Sequence, residues 1–154
     1  MVGHSGDTPC APFVEYGAPP SNEKERLKVV QRMAAHTQFC MSGDHTLEAT
    51  RDAIEEVSTH LDEADEAFVF VLSDANLERY GIRPEQLASE LTANPKVQAH
   101  ACFLASLGGA AERLKAALPA GKASVCLDAA DLPAAFRAAF AAGVLRDEPS
   151  NSKL

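Results

Sequence analysis

The sequence predicts an α/β fold with a Rossmann-like, doubly wound and mostly parallel sheet. From residue 46 onward, helical and strand patterns alternate strictly, and the clearest strand is apolar at every position rather than at every second one. Continuous apolar character indicates burial on both faces, as in parallel strands covered by helices. Alternation fits the same fold, because each right-handed crossover helix returns the chain parallel to the preceding strand.

The first part of the chain is predicted to be loop followed by one helix. Residues 1–20 are rich in glycine and proline, which excludes a helix and leaves room only for a short edge strand at 13–16. An amphipathic helix is predicted over 21–36, after a polar start. Its apolar residues recur at helical spacing: Leu27, Val30, Met33 and Ala34.

Seven alternating elements follow, several with recognisable start signals. The predicted order is helix 46–61, strand 67–72, helix 84–92, strand 97–104, helix 109–118, strand 123–127 and helix 131–142. Pro84 is typical of a first helical position, and Asp131 before Leu132 is typical of a helix N-terminus. Residues 1–145 are predicted to form the domain, and the polar stretch 146–154 a disordered tail.

Composition excludes several classes of function. The chain has 154 residues, about one domain, and its 14 Lys and Arg against 22 Asp and Glu give a net charge of −8. An acidic surface repels phosphates, so nucleic-acid binding and docking on anionic lipid are disfavoured. No stretch reaches the roughly 18 apolar residues of a membrane span, and no targeting signal is visible. The residues alone therefore predict a soluble, cytoplasmic chain.

Several chemical motifs are missing. Cys10, Cys40, Cys102 and Cys126 form no CxxC pair, so we expect free thiols in a reducing compartment. His36 and Cys40 lack a second metal-binding pair, which disfavours zinc. No phosphate-binding loop or GxSxG motif occurs, so neither a nucleotide cofactor nor a hydrolase is predicted.

Residues directly after the strands are the candidates for function, because ligands of doubly wound sheets bind at the carboxyl ends of strands. These residues are Asp74, the stretch 105–108 and Asp128. Asp74 offers a hard oxygen ligand suited to Mg²⁺. The alternative is that Asp74 only caps the turn after its strand.

Asp44 has the same two interpretations. It precedes the helix that begins at Thr46, so its carboxylate is predicted to lie at the positive end of that helix. Ordinary N-terminal capping, worth about 1 kcal/mol, is one interpretation. Presentation of Asp44 to a metal ion beside Asp74 is the other, and the two are compatible.

Three stretches of the sequence resemble von Willebrand factor A (VWA) domains. They are HTQFCMSGDHTLEAT at 36–50, FVFVLSDANLERYGI at 68–82, and SLGG with LPAGKASVCLD within 106–128. The resemblance extends from Val2 to about Val144. More narrowly, it is to the C-terminal VWA domain of a large mitochondrial AAA+ protein.

The resemblance implies a Rossmann-like fold with a metal-ion-dependent adhesion site, where a divalent ion, usually Mg²⁺, bridges the domain to a partner's carboxylate. Asp74 matches the aspartate after the family's fourth strand. Asp44 stands where the family has a threonine in its second loop, with Thr46 as a substitute two residues later. The family's DxSxS loop is absent, so we expect the chain to lack the central first strand and to bind Mg²⁺ weakly.

By the same resemblance, the chain is expected to be a protein-binding module without catalytic activity, in a fragment of an AAA+ ATPase whose ATP-binding part is missing. Its expected partners are a protein that offers a carboxylate and the AAA+ ring of its own parent protein. Its expected location is the mitochondrion. A structural remnant that binds neither metal nor partner is a further interpretation.

A different class of function also uses Asp74. Phosphoacceptor receiver domains and other α/β signalling or enzymatic domains place a reactive aspartate after a central strand. Such a domain requires a lysine after a later strand, whereas Lys122 precedes the strand predicted at 123–127. This alternative rests on fold analogy alone.

Overall fold

The computed structural model describes residues 1–104 and 109–144, and the chain divides into two compact units. The first unit spans Met1–Ala53, and the second begins at Ile54. The predicted disordered tail at 146–154 and the candidate stretch at 105–108 lie outside the described residues.

The first unit begins with a small antiparallel ladder. Strand β1 (Val2–Gly3) pairs with β2 (Ala11–Pro12). The amides of Phe13 and Val14 both donate to the carbonyl of Met1, so the regular ladder ends before residue 13. The strand predicted at 13–16 is therefore wrong, and the pairing residues are the two that precede it.

Helix α1 spans Glu23–Phe39, in agreement with the predicted helix. Its polar start is a working cap, because the Asn22 side chain accepts from the Glu25 amide at 3.0 Å and the Glu25 carboxylate accepts from the Ser21 amide at 2.7 Å. No residue of α1 is buried. Its apolar stripe of Leu27, Val30 and Met33 is exposed, although an amphipathic pattern predicts a buried face.

The second unit contains the predicted parallel sheet. Strands β3 (Ala67–Ser73), β4 (Val97–Leu104) and β5 (Ala123–Cys126) pair in that order, and both pairings are parallel. The helices are α2 (Thr46–Ser58), which begins in the first unit, α3 (Pro84–Leu91), α4 (Gly109–Ala117) and α5 (Leu132–Val144). The α/β fold is thus confirmed.

Helix α5 covers the sheet face that carries Phe68 and Phe70. The Phe140 ring lies 4.7 Å from Phe68, and the Phe136 ring lies 4.6 Å from Phe70. Gly143 permits the close approach, because a Cβ atom there would lie 2.8 Å from the Phe68 ring. This packing fixes the position of β3, whose carboxyl end carries Asp74. None of the described helices combines the length and apolar character that a membrane span requires.

Candidate functional site

Asp74 lies in a tight turn at the carboxyl end of β3. The Asp74 Oδ1 atom accepts a hydrogen bond from the Asn76 amide at 3.0 Å, and the Ser73 hydroxyl accepts one from the Ala75 amide at 3.2 Å. Asp74 is exposed, whereas the neighbouring Leu77 is fully buried and anchors the short 3-10 turn that follows. The two hydrogen bonds and the buried Leu77 therefore hold a turn that carries an exposed carboxylate.

Ala75 adopts a left-handed backbone conformation, with φ of +64°. Residues with a Cβ atom seldom occupy this region, which costs roughly 1–2 kcal/mol. Strain of this kind concentrates at binding and catalytic sites, where surrounding structure holds it in place. Here the strained Ala75 lies next to Asp74, the carboxylate that directly follows β3.

Asp44 lies at the beginning of α2, as predicted. Its Oδ1 atom accepts from the amide of Thr46, the first residue of the helix, at 2.7 Å. The bond satisfies one of the backbone donors that a helix N-terminus leaves unpaired, and the negative charge meets the positive end of the helix dipole. The capping interpretation of Asp44 is therefore supported.

The loop that carries Asp44 packs on the N-terminal loop of the same unit through two glycines. A Cβ atom at Gly6 would lie 2.4 Å from the carbonyl oxygen of Ser42, and one at Gly43 would lie 2.4 Å from the Cα atom of Gly6. The Gly6 amide also donates to the Met41 carbonyl at 3.1 Å. Glycine is needed at both positions because the two backbones touch.

Three histidines join these loops. His4 Nε2 lies 3.3 Å from the Thr46 hydroxyl, His36 Nε2 donates to the His4 carbonyl at 3.2 Å, and His45 Nδ1 donates to the Ser5 carbonyl. His36 lies in the last turn of α1. These bonds hold the N-terminal loop against the residues that cap α2.

His4 faces Asp44 without a hydrogen bond. Its Nδ1 atom lies 4.0 Å from Asp44 Oδ1, is buried, and has no hydrogen-bond partner among the described residues. Burial lowers the pKa of His4, against the opposing effect of the Asp44 carboxylate. The imidazole is therefore neutral at pH 7, and its nearest charged neighbour is a carboxylate.

Asp44, Asp74 and Thr46 differ in how well each could bind a divalent ion. The described hydrogen bonds to Asp44 and to Asp74 are both accepted by Oδ1, so Oδ2 of each carboxylate is left for a hard cation. The Thr46 hydroxyl is buried and lies 3.3 Å from His4 Nε2, so it is less accessible to an ion than the Asp74 carboxylate. No three His, Cys, Asp or Glu side chains group into a metal site within the described ranges.

The predicted site residues divide between the two units. Asp44 and Thr46 lie together in the first unit, and Asp74 belongs to the second. Their joint coordination of one ion stays a prediction. The receiver-like alternative gains no support, because Lys122 precedes β5 in the structure as well.

Sequence reasoning did not identify His4 or Gly6 as part of this region. Neither residue belongs to a recognisable motif, and each contacts residues more than 30 positions away. The pairing of the segments 3–6 and 42–46 rests on backbone contact between two glycine-containing loops. The available signal was the pair of Ser-Gly-Asp triplets at 5–7 and 42–44.

Comparison with known proteins gave a match over most of the chain. The chain is 46% identical over 145 residues, 94% of its length, to a segment of von Willebrand factor A domain-containing protein 8 from Mus musculus, and it spans 8% of that protein's length. The predicted resemblance to VWA domains is confirmed. No family model matches the chain, and no solved structure does.

Proposed function

Because this chain is a VWA-like domain segment, similar along 94% of its length to von Willebrand factor A domain-containing protein 8, we propose that it is a non-catalytic, protein-binding VWA module. We further propose that its binding depends on Mg²⁺. A carboxylate of the partner protein would complete the coordination of the ion. The ring of an AAA+ ATPase in the same parent protein is the other proposed partner, with the mitochondrion as its location.

The observation that carries this proposal is the turn at Asp74. An exposed carboxylate lies at the carboxyl end of a parallel strand, where ligands of such sheets bind. Two side chain–backbone hydrogen bonds and a strained Ala75 fix its direction. A conformation that costs free energy and leaves a charge exposed is expected where a ligand later uses that charge.

The charges of the chain favour a cation as the ligand. The net charge is −8. The proposed ligands are Asp74 first, then Asp44, with Thr46 as the least accessible of the three. Mg²⁺ keeps several waters and needs one or two protein carboxylates. The ion would supply a positive charge that a partner's carboxylate can bind. With so few protein ligands we expect weak affinity.

The test is a Mg²⁺ titration of the ¹⁵N-labelled chain, followed by the amide signals of Ser73 to Asn76. Asp74→Asn keeps the turn bond to the Asn76 amide but removes the charge. Asp128→Asn is the matched control, because Asp128 follows β5, is exposed, and accepts from the Ala130 amide at 2.8 Å. Both variants lose one charge from the same edge of the sheet.

We expect the wild-type chain and Asp128→Asn to show the same saturable shifts, and Asp74→Asn to show none. Loss of the shifts in both variants would indicate general attraction of Mg²⁺ by the acidic surface. Unchanged shifts in Asp74→Asn would remove Asp74 from the site and with it the proposed metal dependence.

A further inference from the structure

A groove of about 400 Å³ lies between α1 and the loop that precedes it. One wall is the face of α1 that carries Glu25, Lys28, Val29 and Arg32, which follow one another at helical spacing. The other wall consists of loop residues within 12–20. Both walls belong to one continuous stretch of the first unit, so this stretch alone is enough to form the groove.

Contacts at both ends of the groove hold the loop in place against the helix. At one end, the Phe13 amide donates to the Met1 carbonyl at 3.0 Å, and the Phe13 ring packs edge-on against the His36 ring at 5.4 Å. At the other end, the amide and hydroxyl of Ser21 donate to the Glu25 carboxylate at 2.7 and 2.9 Å. Sites for small molecules are largely formed before the ligand binds, and these contacts give the groove that property.

The groove combines apolar side chains with two cations. Phe13, Val14 and Val29 line it and are half-buried, so they offer an apolar surface to a ligand. Lys28 and Arg32 lie one helical turn apart and are exposed, and neither forms a salt bridge or a hydrogen bond with any described residue. A guanidinium and an ammonium at this spacing can both donate to one carboxylate.

Two acidic residues of the groove limit the number of negative charges that a ligand can carry. The amide and hydroxyl of Ser21 donate to the Glu25 carboxylate and lower its pKa, so Glu25 is negatively charged at neutral pH. Glu15 also lines the groove and is exposed, and the net charge of the chain is −8. Anions with several charges, such as nucleotides, are therefore repelled. The lining favours an apolar molecule with a single carboxylate.

We propose that the groove between α1 and the loop before it binds a small organic monocarboxylate with an apolar tail. The carboxylate accepts hydrogen bonds from Lys28 and Arg32, and the tail packs on Phe13, Val14 and Val29. None of these residues belongs to the proposed Mg²⁺ site, and the interaction requires no metal ion. It therefore stands or falls independently of Mg²⁺ binding at Asp74.

The test is a titration of the whole ¹⁵N-labelled chain with sodium octanoate in Mg²⁺-free buffer, below the concentration at which octanoate forms micelles. Octan-1-ol and octylammonium chloride are the control ligands, because they have the same tail without the negative charge. We expect saturable shifts of amide signals within 12–32, and about tenfold weaker binding of both control ligands. Absence of saturable shifts, shifts centred elsewhere in the chain, or equal affinity for the three ligands would each overturn the proposal.

A pair of matched arginine variants tests the role of charge. Arg32→Gln removes a cation of the groove, and we expect about tenfold weaker binding of octanoate with no change for octan-1-ol. Arg26→Gln is the control, because Arg26 is on the same helix but outside the groove, and its exposed pair with Glu23 at 2.6 Å contributes little to stability. It should leave both affinities unchanged. Unchanged octanoate binding by Arg32→Gln, or equal weakening by the two variants, would contradict the proposed site.

Discussion

Asp44 and Asp74 each accept, through Oδ1, the amide two residues further along the chain, at 2.7 and 3.0 Å. Their surroundings differ. The Asp44 side chain is 11% exposed beside the His4 ring, whereas Asp74 is exposed and its described hydrogen bond stays within its own turn. The same local bond therefore belongs to a packed loop in one unit and to an open surface in the other.

The difference shows how a capping residue becomes available for function. Asp44 holds the start of α2, and the packing of its loop depends on residues far away in sequence, such as Gly6 and His4. Asp74 contributes little to packing, and the next residue, Ala75, has a strained backbone conformation. We expect substitutions near Asp44 to change stability and substitutions at Asp74 to change binding.

The largest expected effect is on the packed loop of the first unit. Gly6→Ala places a Cβ atom 2.4 Å from the Ser42 carbonyl oxygen, so the two loops must separate, at a cost of about 2–3 kcal/mol in the free energy of unfolding. Gly17→Ala is the control, because a Cβ atom there meets nothing within 4 Å and only the φ of +73° opposes it. Its expected cost is about 1 kcal/mol. Urea denaturation measures both values, and equal costs would contradict the loop contact.

The second prediction compares the two aspartates directly. Asp44→Ala removes the bond to the Thr46 amide and the charge at the helix start, and we expect a loss of about 1–2 kcal/mol in unfolding free energy. Asp74→Ala removes a bond in an exposed turn, and we expect a loss within about 0.5 kcal/mol. Thermal or urea unfolding of the two variants tests the contrast. An equal or larger loss for Asp74→Ala would mean that its turn is structural.

The third prediction tests the strain next to Asp74. Ala75→Gly places at φ of +64° a residue that accepts this conformation, but it also removes a methyl group at a position that is only 4% exposed. We expect the release of about 1 kcal/mol of strain to offset the lost burial, so that the free energy of unfolding changes by less than about 0.5 kcal/mol. Ala116→Gly, at an exposed position of α4, should destabilise by about 1 kcal/mol instead. Denaturation curves for the pair separate release of strain from a general effect of glycine. A loss for Ala75→Gly as large as that for Ala116→Gly, or larger, would show that no strain is released at this position.

The fourth and smallest effect concerns pH and a buried histidine of the second unit, His100. His100 Nδ1 donates to the Gly121 carbonyl at 3.0 Å, and Nε2 lies 3.0 Å from the Ser124 hydroxyl. Burial lowers the pKa of His100 below its usual 6.5. The unfolded chain therefore binds a proton at a higher pH than the folded chain does.

Well above pH 6.5, His100 is neutral in both the folded and the unfolded chain and its titration costs no stability. The free energy of unfolding then declines as the pH falls from 6.5 toward the lowered pKa of folded His100. His4 contributes in the same direction. His100→Gln should flatten the decline without abolishing it, as measured by urea denaturation between neutral and mildly acidic pH. A variant whose stability falls as steeply as that of the wild type would exclude His100 as a source.

Much of the second unit could be predicted because its signals are local. The apolar run at β3, the Pro84 start of α3 and the strands on either side of Lys122 all agree with the structure within a few residues. A parallel strand is buried on both faces, and the continuous apolar character of this run predicts that burial directly.

The first unit was less predictable because its order depends on distant contacts. The strand expected at 13–16 is replaced by pairing at 11–12, and the stripe of Leu27, Val30 and Met33 is exposed despite its helical spacing. The contact between Gly6 and Gly43 gives no periodic signal. For the site, capping was one of the two interpretations that the sequence offered for Asp44 and for Asp74, and both bonds are present. The difference in exposure between the two carboxylates was not predicted.

Paramagnetic relaxation by Mn²⁺, used in place of Mg²⁺ on the ¹⁵N-labelled chain, measures directly which of the two aspartates a cation approaches. We predict selective broadening of the amides around Asp74, reversed by excess Mg²⁺, with weaker broadening around Asp44. Broadening confined to the Asp44 loop, or spread evenly over the acidic surface, would contradict the claim that the turn after β3 is the metal-binding surface of this VWA-like domain.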